Sequence, residues 1–335
     1  MAWFVLRRLV LTIPVLLGLV ALVFAIARLL PGDPVALAAG PNATPAEIAA
    51  YGREFGLDRP ILAQFWSYLT GLLHGDFGVS IFTRRPVAED LRAYLPATLE
   101  LVLAALGFSI VVGIPAGLAA AVWRDRWPDY LSRVLALGAI SMPRFFLGLL
   151  LQLGLAMWMG WLPLGGRFPI TEDPPPGVTG FLTLDCLIAG DLGAFGVALQ
   201  YLLMPAIAMS LSPLATIMRM MRASTLEVMQ QDYVLTERAL GLPERLIIAK
   251  YVLRNAISAT LTVIGLYFGW LLGGTVLVET VFDWPGLGLY ATKAVVTQDF
   301  MPIIGVSIVI GSLFVAMNLV IDLLYGVINP KVRTQ

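Results

Sequence analysis

Few residues in this chain are able to do chemistry, and they are scattered. A single histidine, His74, and a single cysteine, Cys186, exclude a histidine-cluster metal site, an intrachain disulfide and a cysteine-rich zinc site. Both are expected in loops. No glycine-rich loop ends in Gly-Lys-Ser/Thr, so the chain has no means of cradling nucleotide phosphates itself. Arg144, directly after Pro143 in "SMPRFFLGLLL", stands in a strongly apolar run. A charge there is costly and either faces a cavity or partner, where it could meet a solute carboxylate, or reaches back to the membrane surface on its long stem. The only acid drawn near a span interior is Asp322.

Charge gathers instead in one place. "LTERALGLPERLIIAKYVLRN", residues 235–255, holds Glu237, Arg238, Glu244, Arg245, Lys250 and Arg254 in a chain that is 59% hydrophobic and 13% charged. Gly241 is placed to end one short helix through a left-handed backbone, and Pro243 to open the next with Glu244 near its positive end. The pattern predicts two short helices, the second over Glu244 to about Leu253, joined by a Gly241-Leu242-Pro243 elbow. Val234, Leu235, Leu240 and Leu242 supply apolar groups beside Thr236, Ala239 and the charges. A solvated loop would explain the arginines; a docking knob would explain the leucines as well.

What must position these residues is a set of membrane helices. Apolar stretches reach the roughly 20 residues needed to cross a bilayer, and six can be drawn, at about 9–30, 97–122, 131–160, 196–218, 255–281 and 301–328. The chain is therefore expected to be an all-α polytopic membrane protein. The run from Leu9 to Leu30 exceeds the roughly 7–15 apolar residues of a secretory signal, which predicts an uncleaved first span. A long polar loop follows it, in which "PILAQFWSYLTGLLHG" is too short to cross and suits a helix at the interface or packed on the bundle. Arg7, Arg8, Arg124, Arg126, Arg133, the cluster from Arg219 to Arg254, Lys331 and Arg333 fall on one side, against Arg167 and Lys293 in the short loops opposite. Both termini and the elbow are thus expected in the cytoplasm.

Gly265, Gly269 and Gly273 recur every four residues and share a face of the fifth span, suited either to packing within the chain or to a surface along a path between subunits. Pro14, Pro115, Pro143, Pro205 and Pro213 are expected to kink or unwind their spans. "ETVFDWPGLG", with Glu279, Asp283, Trp284, Pro285 and Gly286, ends the fifth span on the outer side. It reads as an outer gate, as a binding-protein contact, or as an aromatic anchor.

At this point the motifs resemble a known family. "DYVLTERALGLPERLIIAKYVLRNA", "VIGLYFGWLLGGTVLVETVFDWPGLG" and "NLVIDLLYGVINPKVR", in that order, look like the inner-membrane permeases of bacterial ABC importers. The dipeptide/oligopeptide/nickel branch fits best, through "RRLVLTIPVLLGLVALVFAIARLLPGDP" and "HGDFGVS"; "SMPRFF" and "TGFLTLD" resemble its dipeptide members. The resemblance implies a type I importer permease fold. Residues 1–95 would be a first helix with its extracytoplasmic loop, 96–328 a five-helix core with coupling helices at about 224–254, and 329–335 a short cytoplasmic tail. It implies a heterodimer with a second permease, two ATP-binding subunits that hold ATP and Mg, and an extracytoplasmic solute-binding protein. No cofactor, catalytic residue or nucleic-acid partner is implied for this chain. The family's elbow begins Glu-Ala-Ala, where this sequence has Leu235-Thr236-Glu237, so a fixed acidic contact does not carry over. Dipeptides or short oligopeptides are the implied cargo; nickel complexes, glutathione and opine-like solutes are the alternatives. An ion-coupled secondary transporter is a further one, disfavoured because no repeat symmetry and few intramembrane carboxylates are visible.

Overall fold

The computed structural model describes residues 2–29, 44–46, 53 and 59–328, with the helix ends 2–9, 27–29 and 321–328 as backbone. The Pro-Gly-Asp-Pro segment at 31–34, most of the polar stretch to residue 58, and the tail with Lys331 and Arg333 lie outside the described residues, as do the side chains of Arg7, Arg8 and Asp322. Helices make the fold. Among the described residues the sole β-contact is an isolated antiparallel bridge between Val79 and Pro86.

Among the described residues four helices are long and apolar enough to cross a membrane: α3 (Val87–Val122), α7 (Leu192–Val228), the unit Glu244–Val281, and Phe300–Val320 of α12 (Phe300–Ile328). A fifth crossing exists if α4 (Trp127–Ser141) and the following α5 (Arg144–Leu151), which runs on through a π-helical turn to Trp158, count as one span. The 28-residue α1 (Ala2–Leu29) has described apolar side chains from Val10 to Ile26. Helix α2 (Ile61–Leu73) lays Phe65, Tyr68, Leu69 and Leu72 against Val20, Ile304 and Ile308, and leaves Leu62, Trp66 and Leu73 exposed. The short apolar segment is thus packed on the bundle, with an apolar outer face.

The expected third span at 131–160 is not continuous. It starts at Trp127, breaks at Met142-Pro143 and turns by 102° before resuming at Arg144. Proline forces the residue before it out of the helical region, and Met142 is extended at φ −97°, ψ 123°. Pro14, Pro115, Pro205 and Pro213, by contrast, stand inside unbroken helices, so of the five prolines only Pro143 interrupts its helix.

Helices α3, α7 and α10 (Leu253–Val281) enclose the main core of Leu101, Val102, Ala105, Met204, Met209, Phe268 and Leu271. Small residues let α3 and α7 approach closely, as membrane helices without a strong hydrophobic drive between them require. A Cβ on Gly113 would sit 3.0 Å from Ile217, and one on Gly117 would collide with the Met218 carbonyl oxygen. The outward faces stay apolar, with Leu103, Val111 and Leu266 exposed, which suits lipid or another membrane subunit.

Candidate functional site

The elbow at 235–243 is built by its glycine. Helix α8 (Asp232–Ala239) closes on Leu240, and Gly241 takes φ +78°, the left-handed conformation expected of it. The Gly241 amide donates to the Arg238 carbonyl at 3.0 Å and the Leu242 amide to the Glu237 carbonyl at 3.3 Å. These are the paired bonds of a Schellman motif, which satisfies carbonyls a helix end leaves orphaned. Pro243 then opens α9 (Glu244–Leu246), and Arg238 Nε meets Glu244 Oε1 at 2.7 Å across the turn. Exposed as it is, that ion pair contributes about 0–1 kcal/mol and mainly sets the elbow's angle. The second helix is not the separate element expected to end near Leu253. Through a π-helical turn, Ile247–Val252, it runs directly into α10. The elbow is therefore continuous with one of the helices long enough to cross a membrane.

The apolar residues of the elbow divide. Val234, Ile247 and Val252 are fully buried in a small core that also holds Val228, Met229 and Leu242. Burying side chains of this size stabilises by roughly 1.5–3 kcal/mol each, enough to hold the elbow as an ordered body. Leu235, Leu240 and Leu246 point outward, Leu240 at 72% exposure. Of the four apolar residues expected on the knob's surface, Val234 and Leu242 thus hold it together and Leu235 and Leu240 are presented. Glu237 and Arg238 are half-buried; Thr236, Ala239 and Gly241 are exposed.

A polar clasp unforeseen in the sequence ties this region to the neighbouring loop. Asp129, fully buried at the start of α4, accepts from Arg222 near the end of α7 at 2.6 and 2.9 Å and from Arg133 at 2.6 and 3.1 Å. The Asp125 amide donates to it as well, at 3.0 Å. With two arginines on it, Asp129 keeps a counter-charge when either one is lost. The spacing of Arg222 and Asp129, 93 residues apart, carries no local signal.

Of the glycine ridge, Gly269 is filled by the Phe314 ring of α12, Gly265 is buried, and Gly273 faces open space. The ridge therefore serves packing within the chain at one level and borders a cavity at another. That cavity, about 800 Å³, lies between the start of α5, α10 and α12. Arg144 lines it, half-buried, with its guanidinium lying against Gly274. Among the described residues Arg144 has no ion-pair or hydrogen-bond partner.

At the C-terminal end of α10 the "ETVFDWPGLG" residues are turned inward. Glu279 is fully buried, accepts from Thr98 Oγ1 at 2.7 Å and takes the Leu289 amide at 2.9 Å. Trp284, 1% exposed, donates its indole N–H to the Ala97 carbonyl at 2.9 Å. Thr98 Oγ1 also receives the Leu287 amide, and a Cβ on Gly286 would sit 2.5 Å from both Glu279 and Thr98. Pro285 is half-buried, and Asp283, at φ +48°, is exposed. In this conformation, then, Glu279 and Trp284 offer no outer surface; they bolt α10 and α11 (Leu287–Val296) to α3. Nearby, Glu100 receives Arg167 Nε at 3.0 Å and the Thr183 amide at 2.7 Å, which fastens the segment between α5 and α7 to α3. Cys186, expected in a loop, is buried within α6 (Leu182–Ile188), where burial pushes its thiol up. On the same helix burial raises the Asp185 carboxyl, but hydrogen bonds from Thr179 and Gly180 outweigh it and hold it below the usual carboxylate range.

A polytopic helical bundle with a rigid, leucine-tipped elbow continuous with one span, and with no metal-ligating cluster among its described residues, has the make-up of a membrane transport subunit. The comparisons narrow this. Residues 113–334 match the model of the binding-protein-dependent transport system inner membrane component, and residues 1–102 that family's N-terminal membrane component. The chain belongs to this family of inner-membrane permeases of ABC importers. Among its relatives, the probable D,D-dipeptide transport system permease protein DdpB of Escherichia coli (strain K12) is 43% identical over 318 residues, 95% of this chain and 94% of that one. The dipeptide transport system permease protein DppB of the same organism is 41% identical over 99% of both chains. The glutathione transport system permease protein GsiC of Salmonella typhimurium is 39% identical over 98% of both.

Proposed function

We propose that this chain forms half of the translocation pore of an ATP-driven importer for dipeptides or short oligopeptides. The elbow at 235–243 acts as the coupling helix. Two partner subunits bind ATP and Mg, and their closure moves the elbow as a rigid lever; the spans then switch between outward-facing and inward-facing states. A second, homologous permease completes the pore, and an extracytoplasmic binding protein delivers the solute. The fold carrying this has six spans and a long extracytoplasmic loop after the first, with both termini in the cytoplasm. Residues 1–95, 96–328 and 329–335 form its entry segment, core and tail.

The observation that carries the reading is the exposure of Leu235 and Leu240 on a turn whose own core, Val234, Ile247 and Val252, is complete without them. An apolar tip on an ordered base fits a groove in a partner, since interfaces centre on apolar groups with a polar rim. Cargo rests on the relatives: two carry dipeptide transport in their names, and one carries glutathione, itself a short peptide, which keeps that solute as the second reading.

The test is Gly241→Val in cells producing the whole importer. Dialanine uptake is expected to fall at least about tenfold, with the chain still inserted, because the left-handed turn costs a β-branched residue about 1–2 kcal/mol and re-aims the tip. Normal uptake with unchanged co-purification of the ATP-binding subunits would sink the coupling role. Competition of dialanine uptake by glutathione but not by other dipeptides would favour the second reading.

A further inference from the structure

Arg144 has a setting that neither the coupling mechanism nor the packing of the chain uses. It follows the Met142-Pro143 break, so it is the first residue of a helix that starts within a bent membrane pair. Pro143 caps that helix without a side-chain hydrogen bond, and the first amides of α5 have no carbonyl one turn back to receive them. The helix's positive end and a fixed positive charge therefore stand together. Around them the walls are apolar or small: Trp270, Gly273, Gly274 and Phe314, with Ser307 a hydroxyl among the lining residues. A Cβ on Gly274 would collide with the guanidinium, whereas Gly273 leaves open space. The backbone of α10 is thus pared back where the charge lies.

No carboxylate among the described residues neutralises Arg144. A guanidinium among apolar walls that is left unpaired by its own chain is poised for an anion from elsewhere, and its planar fork matches a carboxylate with two parallel hydrogen bonds. Discontinuous membrane helices present their N-terminal ends to anionic solute groups on the same physical grounds. The groove is open to its surroundings, and its volume, about 800 Å³, is enough to admit a small solute.

We propose that Arg144, set at the Pro143 break and facing the cavity beside Gly273 and Gly274, is a carboxylate subsite that holds the terminal carboxylate of a small solute on its way through the membrane. The inference deepens the import reading and rests on it for the word "way"; the anion site itself does not.

Two measurements test it. In the first, uptake of dialanine and of dialanine amide, which lacks the carboxylate, is compared in cells whose importer carries the wild-type chain, Arg144→Gln or Arg144→Lys. One binding protein serves all three, so its own preference cancels when the dialanine-to-amide ratio is compared between chains. Arg144→Gln is expected to lower that ratio about tenfold, equivalent to about 1.4 kcal/mol of lost carboxylate preference, and Arg144→Lys to keep most of it. A ratio unchanged in Arg144→Gln overturns the proposal. So does equal loss of both solutes, the result expected of an arginine that only supports the fold or pairs with a neighbouring subunit. In the second, the purified full chain in nanodiscs is titrated calorimetrically with dialanine. Saturable binding, weakened about tenfold by Arg144→Gln, is expected; no saturable binding in the millimolar range overturns the subsite. If wild-type cells take up neither solute while the purified chain binds dialanine through Arg144, it is the short-peptide import reading that fails and the subsite that stands.

Discussion

Helix α10 is approached and left through turns rich in glycine and proline, and the two are built in opposite ways. At the turn before it, Gly241 adopts φ +78° with nothing within 4 Å of where a Cβ would be. Leu235 and Leu240 are exposed, and the Arg238–Glu244 ion pair lies at the surface. At the turn after it, Gly286 adopts φ −115° and ψ −178°, an extended conformation open to any residue, but a Cβ there would strike Glu279 and Thr98. Its tryptophan and its glutamate are buried and hydrogen-bonded. One glycine is required by conformation, the other by space. The difference teaches that similar residue types build an exposed, leucine-tipped turn at one end of the span and a buried, hydrogen-bonded joint at the other.

Variants that break the joint should cost the most. Trp284→Ala is expected to destabilise the chain by about 3–5 kcal/mol, the usual cost of emptying a buried aromatic site, and to cut the folded protein recovered from membranes. Little change in thermal unfolding of the purified chain would mean that this turn is less fixed than its bonds indicate. Gly286→Ala tests the same joint through space alone, and should destabilise where an alanine at Gly273, beside open space, does not.

A smaller loss is expected in the segment between α5 and α7. Asp185→Ala removes the acceptor of the Thr179 and Gly180 amides, which costs about 1–3 kcal/mol locally and should speed hydrogen exchange at those two amides. The Asp185 carboxyl is held below its unfolded value near ~3.9, so its contribution is present above that value and is lost only as pH falls through the lower folded one. Protection of both amides should therefore be unchanged between pH 7 and pH 5; loss of protection in that window would contradict the assigned hydrogen bonds.

How much of this contrast could be read in the sequence depends on how local its causes are. The elbow was readable because a Schellman turn is written in adjacent residues, Glu237 to Leu242, with Pro243 directly after it. The buried joint was not, since Glu279 and Trp284 owe their burial to Thr98 and Ala97, more than 180 residues earlier in the chain. For the same reason the Asp129–Arg222 clasp left no trace in either local segment. Pro143 was visible as a disruption, but nothing in composition separates it from Pro205 or Pro213, which α7 absorbs. The charge of Arg144 was visible too, whereas its cavity depends on where α10 and α12 pass.

The smallest effect on stability is expected where the effect on function is large. Leu240→Ser, at an exposed position, should change unfolding by no more than about 0.5 kcal/mol and yet lower uptake by the assembled importer. Wild-type uptake in that variant would erase the functional half of the contrast and leave the elbow as a solvated turn.

The central claim, that the leucine tip is seated in a partner, is tested most directly by cross-linking. Cys186 is fully buried, so Leu240→Cys would supply the one exposed thiol among the described residues. In the assembled importer a short thiol-directed photo-cross-linker on that residue should yield an adduct with an ATP-binding subunit, and the same reagent on Leu192→Cys, exposed at the start of α7, should not. If position 240 gives no such adduct and reacts with a water-soluble maleimide equally fast with and without the ATP-binding subunits, the elbow is not the docking site.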